Sequence, residues 1–110
     1  MASVYLRRGS DILLLYRQGS SIVNNLWIGS AGGHFEQEEL NDPKACVLRE
    51  LQEELGLTET HLDSLRLRYI VLRNANGEVR QNYFFFAQLK EGAENGLLSD
   101  EGQLRWFALD

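Results

Sequence analysis

The central segment of the chain, residues 42–57, reads DPKACVLRELQEELGL. Asp42 followed by Pro43 is typical of a helix start, because Asp caps free backbone amides and Pro suits the first helical position. Gly56 directly after Leu55 is the matching stop signal. The segment therefore predicts one α-helix over residues 43–55.

The last two turns of this helix carry Glu50, Glu53 and Glu54 on one face, at the end where the helix dipole favours cations. At ~100° per residue, this acidic stripe is distinct from the apolar stripe, which consists of Leu48, Leu51 and Leu55. A charged stripe is ordinarily a solvated face. Here no lysine accompanies the acids on that face, so a hard divalent cation is the simplest explanation.

Length, charge and cysteine content narrow the class of protein. The 110 residues form one domain, residues 1–110, and the net charge of −5 argues against binding to a nucleic-acid polymer. The single cysteine, Cys46, excludes an intramolecular disulfide and fits a reducing compartment. No apolar run approaches the ~20 residues of a membrane span. We therefore expect a cytoplasmic protein without membrane contact.

Short apolar-rich runs on both sides of the helix predict a sheet. The predicted strands are residues 2–8, 11–17, 26–28, 65–73, 78–89 and 103–109. Gly9-Ser10 and residues 74–77 are predicted hairpin turns. Three glycines within residues 29–33 allow either a close backbone approach or a bulge. Many strands around one helix indicate an α+β fold with a mixed sheet.

Two strands carry side-chain patterns that bear on how the sheet is covered. In the strand at residues 65–73, alternation predicts that Leu65, Leu67, Tyr69 and Val71 share one face. The aromatic run at residues 83–86 predicts a strand covered on both faces, with a base-stacking platform as the lesser alternative. One helix covers only one face. We expect loops and a partner subunit to cover the second face of the sheet. Alternatively, the sequence stops before a further element that would cover this face.

The helix and the loop before it resemble the Nudix box. Its pattern is G, five residues, E, seven residues, then R-E-U-x-E-E-x-G-U, where U is a bulky aliphatic residue. Residues 49–57 match all seven specified positions of the second half, and Gly33 and Glu39 match the first half. Nine residues separate Glu39 from Arg49 instead of seven, which leaves the role of Glu39 open. The helical register of the glutamates is expected to survive, because the insertion lies before the helix start.

Similarity to Nudix hydrolases implies an α/β/α sandwich with a mixed sheet, hydrolysis of a nucleoside diphosphate linked to another group, and Mg²⁺ or Mn²⁺ as cofactor. The long helix that ends the family's domain is not evident in this sequence, so we expect a form lacking the C-terminal helix. Either the sequence is truncated, or the protein is an unusually short member of the family. By position, the resemblance assigns catalysis to Glu53, Glu50 and Arg49, the last orienting Glu53 through an ion pair. The implied metal ligands are Glu50, Glu53, Glu54, the carbonyl of Gly33 or Gly32, and Glu101 from a later loop.

The substrate is less well defined by the sequence. Arg80, Gln81 and Asn82 are candidate substrate contacts, although a solvated strand edge explains them equally well. The resemblance allows oxidised nucleoside triphosphates, nucleotide sugars, dinucleoside polyphosphates or ADP-ribose. A competing hypothesis is a nucleotide-binding sensor of Nudix fold that does not cleave its ligand. A further hypothesis is an incomplete domain that works only as a homodimer.

Overall fold

The structure, a computed structural model, describes residues 1–17, 26–93 and 102–109. Within these residues it contains seven strands and one α-helix, together with short 3-10 turns at Gln37–Glu39 and Glu59–His61. The elements are β1 Ala2–Arg8, β2 Asp11–Arg17, β3 Leu26–Ile28, β4 Ala31–Gly33, α1 Pro43–Leu55, β5 Leu62–Ala75, β6 Glu78–Leu89 and β7 Gly102–Ala108.

All seven strands belong to one mixed sheet. Its main path runs β3-β2-β1-β6-β5, while β4 pairs with the first half of β1 and β7 pairs with β2. The β1–β6 pair is parallel and the other pairs are antiparallel. This arrangement confirms the predicted α+β fold with a mixed sheet.

A buried serine ties the first two strands together where their neighbours change. β1 pairs with β4 at residues 2–4 and with β2 at residues 6–8. Ser30, just before β4, lies at this junction and is 1% exposed. Its hydroxyl accepts a hydrogen bond from the Leu6 amide at 2.9 Å and donates one to the Leu13 carbonyl at 2.5 Å. The serine thus supplies bonds that the diverging strands cannot make to each other.

Helix α1 has the predicted ends. The Asp42 carboxylate accepts a hydrogen bond from the Ala45 amide at 3.1 Å, and Gly56 adopts a left-handed conformation with φ of 73°. The buried face of the helix packs on the sheet through Cys46, Val47, Leu51 and Leu55. The opposing sheet residues include Val4, Leu6, Phe85, Ala87 and Leu89. The hydrophobic core therefore lies between α1 and one face of the sheet.

The alternation predicted for β5 is wrong beyond its middle. Leu67 pairs with Phe85, but Tyr69 pairs with Phe84, because the register shifts between Leu67 and Tyr69. The extra residue, Arg68, turns the rest of the strand over, since successive strand residues point to opposite faces. Leu67 therefore lies on the helix side, while Tyr69 lies on the opposite face. The strand is also longer than predicted, because only Asn76 and Gly77 form the turn.

The described residues bury residues 83–86 fully on one face only, so the predicted cover of both faces is not seen within them. Phe85 is buried beneath α1, whereas Phe84 and Phe86 lie on the opposite face and are only partly buried. On that face Tyr5 stacks on Phe86 with ring centroids 5.3 Å apart, and Tyr69 meets Phe86 edge-on at 6.1 Å. Among the described residues no helix covers this face, and Tyr69 is 54% exposed. Neither is any described helix long and apolar enough to span a membrane.

Candidate active site

The C-terminal half of α1 lies directly against β4, and glycines permit the close approach. A Cβ atom built on Gly33 would lie 2.5 Å from Oε1 of Glu50. A Cβ atom on Gly32 would lie 2.7 Å from the Ala2 carbonyl oxygen of β1. Both distances are too short for a side chain at these positions. Of the two readings of the glycine cluster, close approach therefore accounts for Gly32 and Gly33.

Arg49 is the centre of the charged cluster. Its Nε donates to Oε2 of Glu39 at 2.7 Å and its Nη2 donates to Oε1 of the same carboxylate at 3.0 Å. Its Nη1 donates to Glu50 and to Glu53, at 2.9 Å in each case. The expected contact between Arg49 and Glu53 is thus present. The planar guanidinium holds three carboxylates in fixed relative positions, which a lysine ammonium cannot do.

Glu39, whose role the sequence left open, is the most buried partner of Arg49, at 6% exposure. It belongs to the 3-10 turn Gln37–Glu39 and also accepts a hydrogen bond from the Glu36 amide at 3.0 Å. The bonds from Arg49, and secondarily from this amide, lower the pKa of the Glu39 carboxyl to about 2. The insertion before the helix leaves this pairing intact. The sequence signal that pointed to Glu39 was its spacing from Gly33, which matches the Nudix box.

Glu54 points away from the arginine. Its Oε2 accepts a hydrogen bond from the Gly32 amide at 2.9 Å, which links the end of α1 to β4. Glu50 and Glu53 turn toward Arg49, and Glu53 is the more exposed of the two, with 52% of its side chain accessible against 12% for Glu50. The structure therefore brings Glu50 and Glu53 together at Arg49 and places Glu54 beside the glycines.

The donor set suits a hard divalent cation in chemistry. Carboxylate and carbonyl oxygens are the ligands that Mg²⁺ and Mn²⁺ take, and Mg²⁺ also retains waters. In the observed arrangement, however, no three acidic, histidine or cysteine side chains of the described residues converge on one point. Arg49 and the Gly32 amide hold the carboxylates instead.

Cys46 lies beneath the cluster, on the turn of α1 before Glu50. Its Sγ is 3.8 Å from the carbonyl oxygens of Gly33 and His34. Burial, followed by the charge of Glu39, raises the pKa of the Cys46 thiol to about 11. The thiol is therefore protonated at neutral pH and is a packing residue rather than a nucleophile.

A cavity of about 310 Å³ opens beside Glu54 and Gly32. It lies against the face of the sheet opposite the core, and its lining includes Ser3, Tyr5, Asn82 and Phe84. Aromatic rings with a few polar groups are the usual lining of a small-molecule site. The cavity thus places flat apolar surface next to the acidic end of the helix.

The predicted substrate contacts lie beside a second, larger cavity. Arg80, Gln81 and Asn82 line this space of about 450 Å³ together with His34 and Phe35 of the loop before α1. Asn82 lines both cavities, so it joins them. Arg80 forms a 3.6 Å ion pair with Glu78, and Gln81 accepts a hydrogen bond from the Tyr83 hydroxyl. Glu101 lies outside the described residues.

The whole chain, residues 1–110, matches the family model of the NUDIX domain. The chain therefore belongs to the Nudix family, whose members generally use divalent metal ions. No curated protein matches it.

Solved structures of other Nudix proteins share the fold. An Ap4A hydrolase from C. elegans is 23% identical, with a TM-score of 0.71 over 98% of this chain and 78% of that chain. A MutT protein from Bacillus halodurans is 24% identical, with a TM-score of 0.64 over 97% and 66%. The NUDIX domain of Shewanella oneidensis NrtR, bound to ADP ribose, is 14% identical, with a TM-score of 0.67 over 98% and 71%. At these identities the likeness establishes the fold.

Proposed function

We propose that this chain is a Nudix pyrophosphohydrolase that cleaves a nucleoside diphosphate linked to another group. The observation that carries the proposal is the acidic end of α1, where Glu50 and Glu53 contact Arg49 while Glu54 lines an aromatic cavity. The carboxylates at the acidic end of α1 would hold a cation, and the cation would bind the reacting phosphates. The rings of Tyr5 and Phe84 suit a planar base. The C. elegans neighbour is named an Ap4A hydrolase, which supports the same reaction class.

Each charged residue has a proposed part in the reaction. Glu50, Glu53, Glu54, the Gly33 carbonyl and Glu101 would hold Mg²⁺ or Mn²⁺. The cation, when bound, neutralises the diphosphate and polarises the attacking water. Glu53 is the best placed to accept the proton of that water, because its carboxylate is open to solvent and fixed by Arg49. Arg49 positions Glu50 and Glu53.

Substrate contacts beyond the phosphates are proposed at the two cavities. Asn82 can reach a ligand in either one, while Arg80 and Gln81 line only the larger. The ADP ribose bound to the Shewanella domain and the Ap4A hydrolase from C. elegans support a nucleotide-like small molecule. A cytoplasmic location, a homodimer and the absence of nucleic-acid polymer binding stay predictions from the sequence. Analytical ultracentrifugation tests the homodimer directly.

The test is a substrate panel with product analysis. Dinucleoside polyphosphates, ADP-ribose, nucleotide sugars and nucleoside triphosphates are incubated with Mg²⁺ or Mn²⁺, and the products are separated and quantified. We expect at least one substrate to be cleaved at a phosphoanhydride, with no turnover after chelation. Absence of metal-dependent turnover across the panel, alongside measurable nucleotide binding, would overturn the enzyme proposal in favour of a sensor.

Variants test the assigned glutamates. We expect Glu53→Gln to lower kcat by about 10²- to 10⁴-fold, the range for loss of a general base. Glu54→Gln is expected to weaken activation by the metal, because it removes one charged ligand. Glu38→Gln is the matched control, since Glu38 is exposed on the neighbouring loop and contacts none of these groups. Equal activity of Glu53→Gln and the control would exclude Glu53 as the base.

A further inference from the structure

Three arginines surround a separate recess on the face of the sheet opposite α1. This recess of about 290 Å³ is called the arginine pocket here, and it is lined by Arg7, Arg66 and Arg68 with Ser64, Gln88 and Phe86. Strand register explains the grouping: Arg7 pairs with Gln88, Gln88 pairs with Ser64, and Phe86 pairs with Arg66. Side chains at paired positions lie on the same face. Arg68 joins them as the extra residue of the β5 bulge.

The positive charge of the arginine pocket is not neutralised by acidic residues in the described part of its lining. None of the described residues that line it is acidic, so three guanidinium groups share the space without a carboxylate in its walls. Like charges held together on one face of a sheet repel each other, which costs stability unless an anion binds between them. The protein as a whole carries a net charge of −5, so this concentration of positive charge runs against the composition.

Arg7 supplies a second, independent observation. Its Nε atom is buried and has no hydrogen-bond partner among the described residues, while its Nη2 donates to the Gly9 carbonyl at 3.4 Å. A buried donor without an acceptor costs free energy, because the group has lost its water and gained nothing. An anion in the pocket would give this N–H an acceptor.

We propose that the arginine pocket binds a phosphate-bearing small molecule at a site separate from the candidate active site. A phosphate offers several oxygens and more than one negative charge, which suits three guanidinium groups better than a single carboxylate does. The Ser64 hydroxyl and the Gln88 amide add neutral donors, and the Phe86 ring adds an apolar wall. Arg7 lies four positions after Ser3 of the Glu54 cavity, roughly 13 Å along β1, and no described residue lines both sites.

The probe is pyrophosphate without divalent metal. Binding of pyrophosphate at the acidic cluster requires a cation, so without metal only the arginine pocket is tested, and no hydrolysis contributes to the signal. Binding is followed by isothermal titration calorimetry in EDTA at low salt. The double variant Arg66→Gln/Arg68→Gln is expected to weaken binding at least about tenfold, the loss given by one charge-assisted hydrogen bond. Both side chains are exposed, so the fold is expected to persist, and circular dichroism checks it.

Two further variants make the test specific. Arg105→Gln removes an exposed arginine of β7 outside the pocket and is expected to leave the affinity unchanged. Arg7→Lys keeps the charge but removes the Nε donor, and we expect it to weaken binding. The proposal is overturned if the double variant binds pyrophosphate as the parent does, or if Arg105→Gln loses as much affinity. Equally tight binding of a hexaglutamate peptide at the pocket would also overturn it, since the site would then not be selective for phosphate.

Discussion

At the scale of single residues, Arg49 organises the candidate site. One guanidinium group contacts Glu39, Glu50 and Glu53 at 2.7–3.0 Å, and its Nη2 also donates to the His34 carbonyl at 3.0 Å. These bonds fix the arginine from the loop side, so that it can position the two helix carboxylates. Its surroundings, with Glu39 foremost, raise the pKa of Arg49 further above its ordinary value. The residue is therefore charged at neutral pH.

Arg49→Lys tests whether geometry or charge alone matters. Lysine keeps the positive charge but cannot bridge Glu39 bidentately while contacting Glu50 and Glu53. We expect kcat to fall by about 100-fold, the scale of loss from misplaced reacting groups, in steady-state assays on the substrate found in the panel. A variant with unchanged kcat would show that the arrangement around Arg49 is not needed for turnover.

Glu39 is predicted to make stability depend on acid pH. Its folded-state pKa of about 2 is below the ordinary value of 4.5, so the ionised carboxylate stabilises the fold above pH 4.5. This contribution is lost as the pH falls from about 4.5 to about 2. In urea unfolding followed from pH 6 down to about pH 2, Glu39→Gln is expected to be less stable than the parent at pH 6 and to lose part of the acid dependence. Glu38→Gln serves as the exposed control, and an identical pH profile for Glu39→Gln and the parent would contradict the prediction.

At the scale of the element, the sequence of α1 predicts the helix by itself, whereas the charged end of α1 is stabilised by contacts in the folded protein. Its caps define its ends, its apolar stripe buries Val47, Leu51 and Leu55, and the opposite face carries the charged cluster. The acidic C-terminal end is unfavourable for an isolated helix because the dipole there favours cations. In the folded protein, Arg49 and the Gly32 amide offset that cost. The acidic end of the helix is thus stabilised by contacts made in the folded protein.

The N-cap is expected to contribute measurably to stability. Asp42→Ala removes the acceptor for the Ala45 amide and is expected to lower the free energy of unfolding by about 1 kcal/mol. The measurement is urea unfolding followed by circular dichroism at neutral pH. Asn41→Ala, at the adjacent exposed position, is the control and is expected to have little effect. If both variants lose the same stability, the cap is not the cause.

At the scale of the whole molecule, the sheet has two unlike faces. One face packs on α1 and holds the core, while the other carries the aromatic residues, the Glu54 cavity and the arginine pocket. The bulge at Arg68 contributes to this division, because it turns Tyr69 and Val71 away from the helix side. Two of the proposed binding sites, the Glu54 cavity and the arginine pocket, therefore lie on the face opposite α1.

Ser30 is predicted to be important for the integrity of the sheet. Ser30→Ala leaves the Leu6 amide and the Leu13 carbonyl without their buried partner, and we expect a loss of about 1–3 kcal/mol in the free energy of unfolding. Equilibrium denaturation measures this loss. Ser10→Ala, in the exposed turn after β1, is the control. Equal stability of Ser30→Ala and the parent would show that water or strand movement replaces the hydroxyl.

The sequence by itself determined the features that depend on neighbouring residues. The caps at Asp42 and Gly56 predicted α1, hydrophobic runs predicted β1, β2, β3 and β6 with their bounds, and residues 49–57 indicated the family. Helix register also placed Glu50, Glu53 and Glu54 on one stripe. These features rest on local backbone preferences and periodicity, which a sequence displays directly.

Only the tertiary structure decided which distant groups meet. It paired Glu39 with Arg49, turned Glu54 toward Gly32, placed Ser30 between β1 and β2, and moved Tyr69 to the open face. Each depends on strand pairing, on a bulge or on the path of a loop, and alternation in a single strand contains no information about its partner's register. For this reason the acidic helix could be predicted from the sequence, whereas the arrangement of its carboxylates could not.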